Sequence, residues 1–504
     1  MKNWQFARRG ALSLGALVVV VWLGGCAHQA PPSDPLSDIQ NPKLGVQAKD
    51  KAIRQAWAMA QQGKLDRIAV REDLKTISWS RHWTVSLRLA AIEALLSDTD
   101  PAGQADTRNM VRLMLPREPE PRVIEVLSMT AADRGWQEAT PALVRSLSQP
   151  QPGLADRERP EAVAIAKLNP GKPLERIVYD LFLDPPEEGG AFGFVPAERV
   201  RMDAWNLLGR LDRDGTLRLK LLAEGDVKPG PADEIRAGLN DLRIIPVTGE
   251  ELQWLTSLHT GRGEEYAKWW EETRAAIQAQ NSARIGRLQM RNLEPIRWAS
   301  VFRTSWLASS REQLLGEVRT RLENRKVYRR TNKEGFRKYP PETLADWQES
   351  LSWGELLSIL VVDEALKQKE LARALFAQAE MDRDDKTAEY GGLIRTGLES
   401  ENKGAPAFSA VLYPPRPGSR RGDREFVASA DMLAQGDHAL AHYHLHVQDT
   451  HSSEFAGPSM GDLDYARRYG RTCLVFTSVT ADILDADLYT PDGAIIDLGE
   501  LVRP

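Results

Sequence analysis

Cysteine is almost absent from this chain: its 504 residues include only Cys26 and Cys473. Beyond the first 26 residues a single thiol remains, and one thiol closes no intramolecular disulfide. The fold must therefore be held by its core, with or without a metal. An excess of either charge sign is lacking too. With 66 basic and 71 acidic residues the net charge is −5, so there is no electrostatic case for a nucleic-acid partner. Long apolar runs are missing after the N-terminus, and nothing downstream matches the roughly 20 apolar residues that a spanning helix needs. Histidine is scarce, at eight residues, but its distribution is uneven. His438, His442, His444, His446 and His451 fall within one short stretch.

The N-terminus carries Met1-Lys2, Arg8-Arg9, an apolar run from Ala11 to Leu23, and then Leu23-Gly24-Gly25-Cys26. A basic start, a short apolar stretch and small residues before a cut are the marks of a secretory signal. Leu-Gly-Gly-Cys resembles the lipobox of bacterial lipoproteins. That resemblance implies cleavage after residue 25, acylation of Cys26 and a membrane partner reached through that lipid. Pro31, Pro32, Pro35 and Pro42 follow, and residues 26–48 read as a flexible, semi-extended tether. Ala27 gives no aspartate-type signal for inner-membrane retention. The expected location is the cell envelope, on the periplasmic face of the outer membrane if the host is Gram-negative.

Residues 49–245 have a helical period broken into short units. Val85–Leu96, Arg122–Ala131 and Arg201–Leu211 each place apolar residues on one helical face. Each looks like the arginine-led second helix of a HEAT-type pair, which buries one face against its neighbour. The expectation is a degenerate helical solenoid, a surface type commonly used to bind a protein or peptide partner. Residues 246–380 remain helical and carry Trp254, Trp269, Trp270, Trp298, Trp306, Trp347 and Trp353, read as packing residues between helices. The basic run Arg319–Arg337 is flanked by Glu317 and interrupted by Glu323 and Glu334, so it reads as a solvated helix face.

After residue 380 the texture changes to short alternating runs: Phe408–Tyr413, Glu425–Ser429, His438–Val447, Thr472–Val479 and Asp485–Asp497. Thr490-Pro-Asp-Gly493 marks a hairpin turn, and Ser459 to about Tyr469 reads as a helix. The fold class expected is multidomain: an all-α helical-repeat region, then an α+β domain over residues 381–504.

On a strand over 439–447, His442, His444 and His446 share one face. Residues two apart on a strand are about 6.5–7 Å apart at Cα, so two imidazoles can converge on one metal ion; a solvated histidine stripe is the alternative. Pro458-Ser459-Met-Gly-Asp462 then offers a carboxylate at a helix start, in the form of a capping box. Tyr443-His444-Leu445-His446 with Ser459-x-x-Asp462, preceded by Glu389-Tyr-Gly-Gly-Leu-Ile394, resembles the signature of the JAMM (JAB/MPN-type) metalloprotease domain. The resemblance implies zinc held by His444, His446 and Asp462, with Glu389 as general base and Ser459 stabilising an oxyanion. The implied reaction is hydrolysis of an amide or isopeptide bond by a membrane-tethered enzyme. Val447 stands where the family carries proline, and 13 positions separate His446 from Ser459, longer than the common spacing. The extra loop brings His451 and Glu454, which, with His442, are alternative ligands. A non-enzymatic envelope scaffold that keeps the fold without the chemistry is the other reading.

Overall fold

The computed structural model describes residues 34–504 apart from 152, 187–195, 225–229, 262, 331–338, 398–406, 423–424 and 449–452. Cys26 and the expected signal segment lie outside the described residues. The chain is mostly helical and ends in a six-stranded mixed sheet. It divides into two compact units, Met1–Met110 and Val111–Pro504. No described helix is long and apolar enough to cross a membrane.

In the first unit the described chain is helical from the outset. Residues 34–48, read from sequence as the end of a semi-extended spacer, instead contain the helix Pro35–Gln40 and the start of Val46–Gln61. Asp34 caps the first of these by accepting from Leu36 N–H at 3.2 Å, and Pro35 sits at the first helical position, where its missing N–H is harmless. Ile39 then packs with Ile53, Trp57, Leu74, Leu87 and Leu95. Proline content alone misled here, because proline at a helix start is a signal for the helix rather than against it.

In the second unit the expected helices appear as Pro121–Asp133 and Ala197–Leu211. The tryptophan-rich region behaves as packing material. Trp254, Trp269, Trp270, Trp298, Trp306 and Trp353 are buried, whereas Trp347 is only partly so. Helix Trp353–Leu366 has apolar residues all round and is buried on nearly every side, as such a helix must be. Its core continues without a break into one face of the sheet, through Ile394, Tyr443, Leu445, Leu474, Phe476, Leu488 and Ile496.

The strands are β1 (Gly391–Gly397), β2 (Ala407–Leu412), β3 (Ala439–His446), β4 (Cys473–Thr480), β5 (Ile483–Tyr489) and β6 (Ile495–Val502). Their order is β2-β1-β3-β4-β5-β6. Only β3 and β4 pair in parallel; their connection contains the helix Met460–Tyr469, as a parallel pair requires a crossover. The turn at Thr490–Gly493 closes with Gly493 N–H donating to Thr490 O at 2.9 Å, and Gly493 takes φ +89.

Two expectations need correction. Residues 425–429 form no strand; they run unpaired to Ser429, whose hydroxyl caps the helix Ala430–Ala434. The described part of the basic run, Arg319–Arg330, is not one helix face either, and its residues 331–337 lie outside the described residues. The helix Arg311–Leu322 stops within that part, and the chain then runs along β6, where Glu500 N–H donates to Lys326 O at 2.9 Å. Arg321 and Arg325 are drawn in by Asp363, at 3.0 and 2.5 Å.

One polar hook joins the helix Gly249–Thr260 to the start of β3. Trp254 Nε1 donates to Asp437 O at 2.9 Å, and Ser257 Oγ donates to Asp437 Oδ2. Arg471 stacks on Trp254, 3.3 Å from the ring centroid, with its guanidinium 3.9 Å from Asp437. Burial raises the Asp437 pKa, only partly offset by Ser257 and Arg471. A raised folded-state pKa means stability that is complete below the unfolded carboxylate value, about 3.9, and is lost as pH rises through the folded value. Asp437→Asn mimics the neutral acid and lacks this slope. Its melting temperature, relative to the parent, is expected to climb from pH 4 towards pH 7; a constant or falling difference would refute the assignment.

Candidate metal centre

The site grows from the alternation of β3. Tyr443 and Leu445 point into the core, which turns His442, His444 and His446 to the opposite face. That face is covered by the helix Met460–Tyr469, whose Leu463 and Ala466 pack on Cys473, Val475, Tyr489 and Ile495. Ser459 is the helix N-cap. Asp462 N–H donates to Ser459 Oγ at 3.2 Å, and Ser459 N–H donates to Asp462 Oδ2 at 2.7 Å. This reciprocal box fixes the Asp462 carboxylate against the strand.

His444 Nε2 and His446 Nε2 stand 3.1 Å apart. Asp462 Oδ1 is 3.4 Å from the first, and Oδ2 is 3.9 Å from the second. Glu389 stands at the entrance to β1. It offers a carboxylate oxygen that lies, with one nitrogen of each histidine, within 4.8 Å of its companions. The antiparallel register sets Gly391 opposite His444, and Leu445 N–H donates to Tyr390 O at 3.0 Å, so Glu389 falls beside His446.

Imidazole orientation is set from outside. His446 Nδ1 lies 2.9 Å from Phe455 O. A carbonyl only accepts, so Nδ1 carries the proton and Nε2 presents its lone pair, which is the usual way a ligating histidine is held. The loop before Ser459 thus supplies a supporting contact. Phe426 lies nearly parallel to the His444 ring, with centroids 5.3 Å apart. The glycine at 391 makes room for it, since a Cβ there would sit 2.4 Å from the Phe426 ring.

Burial works against a charged His444, yet the carboxylates of Asp462, Glu389 and Asp382 outweigh it and raise its pKa. His446 is pushed down to about 4, by burial first and then by its neighbour His444. Asp462 is held well below the usual carboxylate range; burial opposes this, and the two histidines overcome it.

The structure therefore brings together Glu389, His444, His446 and Asp462, with Ser459 at the cap. His442 is not part of the group: its Nδ1 bonds the Tyr465 hydroxyl at 2.8 Å, and its Nε2 is turned to Gly436. Glu454 is exposed in the turn Ser453–Phe455, and His451 lies outside the described residues. Sequence reading missed Phe426 and the Phe455 carbonyl. The first has no motif of its own, and a backbone oxygen leaves no signal in the sequence. Compared with known protein families, with curated proteins and with solved structures, the chain finds no match in any of the three.

Proposed function

We propose that this chain is a membrane-tethered, zinc-dependent hydrolase of the JAMM type, acting on an amide or isopeptide bond. The observation that carries the reading is the convergence of two imidazole Nε2 atoms 3.1 Å apart with an Asp462 oxygen 3.4 Å away and the Glu389 carboxylate alongside. The donor set fits zinc: two imidazoles, one of them orientated by a backbone carbonyl, and a carboxylate fixed by its helix cap, the three protein ligands typical of catalytic sites. Zinc bound there would act as a Lewis acid and bring the pKa of its water to about 7.

The chain's own residues do the rest. His444, His446 and Asp462 hold the ion. Glu389, close to both histidines, is placed to accept a proton. Ser459 keeps its hydroxyl hydrogen, because its oxygen serves the cap only as an acceptor, and that hydrogen can be donated to a developing oxyanion. In the same reading, Cys26 carries the lipid that places the protein at the envelope, and the helical-repeat region offers a protein or peptide partner its surface.

The test is the metal content of the mature chain. About one zinc per chain is expected, with loss of zinc in His444→Ala and Asp462→Ala. A folded parent that retains no zinc after zinc addition and dialysis would sink the hydrolase reading and leave the scaffold.

A further inference from the structure

The face of the sheet that bears the histidines continues across β4 to β6 and changes character. Register places His446 beside Thr477, Thr477 beside Asp485, and Asp487 beside Asp497. Asp485, Asp487 and Asp497 each offer an oxygen within 4.8 Å of the others. Asp485 and Asp487 are buried, at 0% and 1% exposure. No described arginine or lysine forms an ion pair with any of the three. Arg330 and Arg329 act on Asp487 and Asp497 only from beyond ion-pair distance, and burial and like charge outweigh them; buried carboxylates so weakly compensated are among the most expensive arrangements in a protein interior.

Neighbouring atoms point the same way. Thr477, at 1% exposure, has a buried hydroxyl with no hydrogen-bond partner, and it is the direct cross-strand neighbour of Asp485 on this face. Asp485 Oδ1 accepts from Tyr328 N–H at 3.2 Å, while its Oδ2 is buried and unpartnered. Asp497 Oδ1 accepts from Gly499 N–H at 2.8 Å. A fourth carboxylate, Glu342, is close by. A Cβ at Gly457 would lie 2.8 Å from its Oε1 and 3.5 Å from Asp487 Oδ2.

We propose that Asp485, Asp487 and Asp497, with the Thr477 hydroxyl, form a second cation site that takes a calcium-type divalent ion. All of its donors are oxygen, the preference of hard cations, and no histidine or cysteine belongs to the group. Calcium binds oxygens at about 2.3–2.6 Å, so opposed ligands can stand up to about 5 Å apart; magnesium, at about 2.0–2.1 Å, would have to contract the group. A single ammonium would neutralise only one of the three carboxylates, and a divalent ion neutralises two. The site shares no donor with the zinc centre and does not depend on it.

The experiment is equilibrium dialysis of the chelator-stripped chain against about 1 mM calcium, a concentration that saturates all but the weakest extracellular-type sites, with bound calcium and zinc both measured. About one calcium per chain is expected in the parent and in His444→Ala, with at least a tenfold weaker affinity in Asp487→Asn. Calcium should raise the melting temperature of the parent and not of Asp487→Asn. Asp497→Asn, at a half-buried position, serves as the second variant should the first fail to fold. A folded parent that binds no calcium would overturn the proposal, as would variants that bind it as tightly as the parent.

Discussion

Under the zinc-dependent hydrolysis proposed here, Glu389→Gln is expected to keep zinc and to lose activity by about 10²–10⁴-fold, the usual contribution of a positioned general base. Glutamine has the same shape, and the position is tightly enclosed at 7% exposure, so the fold at the entrance to β1 should survive. What disappears is the ability to accept a proton. Initial rates on linear and isopeptide-linked peptides, read beside zinc content, separate two roles that the geometry alone leaves close together. Glu389 is near enough to both histidines to serve as a ligand, whereas Asp462 approaches them from its helix cap. Loss of zinc in Glu389→Gln would make Glu389 a ligand and overturn its assignment as the base. Unchanged rates with zinc retained would remove it from the chemistry altogether.

What could be read from the sequence was whatever depends on local period. Alternation placed His444 and His446 on one face of β3, and Ser459-x-x-Asp462 gave the capped helix that carries the third polar group. Both are short-range signals, in which two-residue and three-residue spacings map directly onto faces and caps. The turn at Thr490–Gly493 was legible for the same reason. Its consequence was not: only the register on either side of that turn brings Asp487 opposite Asp497, so a buried and a half-buried carboxylate that look like ordinary strand positions come to face each other. Long-range placement defeated the other readings. The chain after Leu322 leaves its helix because β6 offers backbone partners and Asp363 offers a counter-ion. Phe426 sits on His444 because a glycine on another strand leaves the space.

Arg159→Ala is expected to destabilise the second unit by about 3–5 kcal/mol, the range for breaking a buried ion pair from one side. Arg159 and Glu161 are both fully buried, with Nη2 and Oε1 2.5 Å apart. The guanidinium also donates to the carbonyls of Ser146, Leu147 and Gln149, at 3.2, 3.2 and 2.6 Å. It thereby satisfies the end of the helix Thr140–Ser148, where carbonyls lack helical partners and a cation is favoured. Alanine would leave Glu161 with only the Ser146 hydroxyl, 2.9 Å away, and would leave the Gln149 carbonyl without its arginine donor. The large effect therefore comes from an orphaned charge more than from the lost attraction, and this makes a second variant informative. In Arg159→Met/Glu161→Leu both charges leave together, and most of the lost stability should return, as replacement of buried pairs by apolar side chains often allows. Urea unfolding of the parent, the single variant and the double variant would measure this. A single variant within about 1 kcal/mol of the parent would show the pair to be solvated in solution, as exposed pairs contribute only that much.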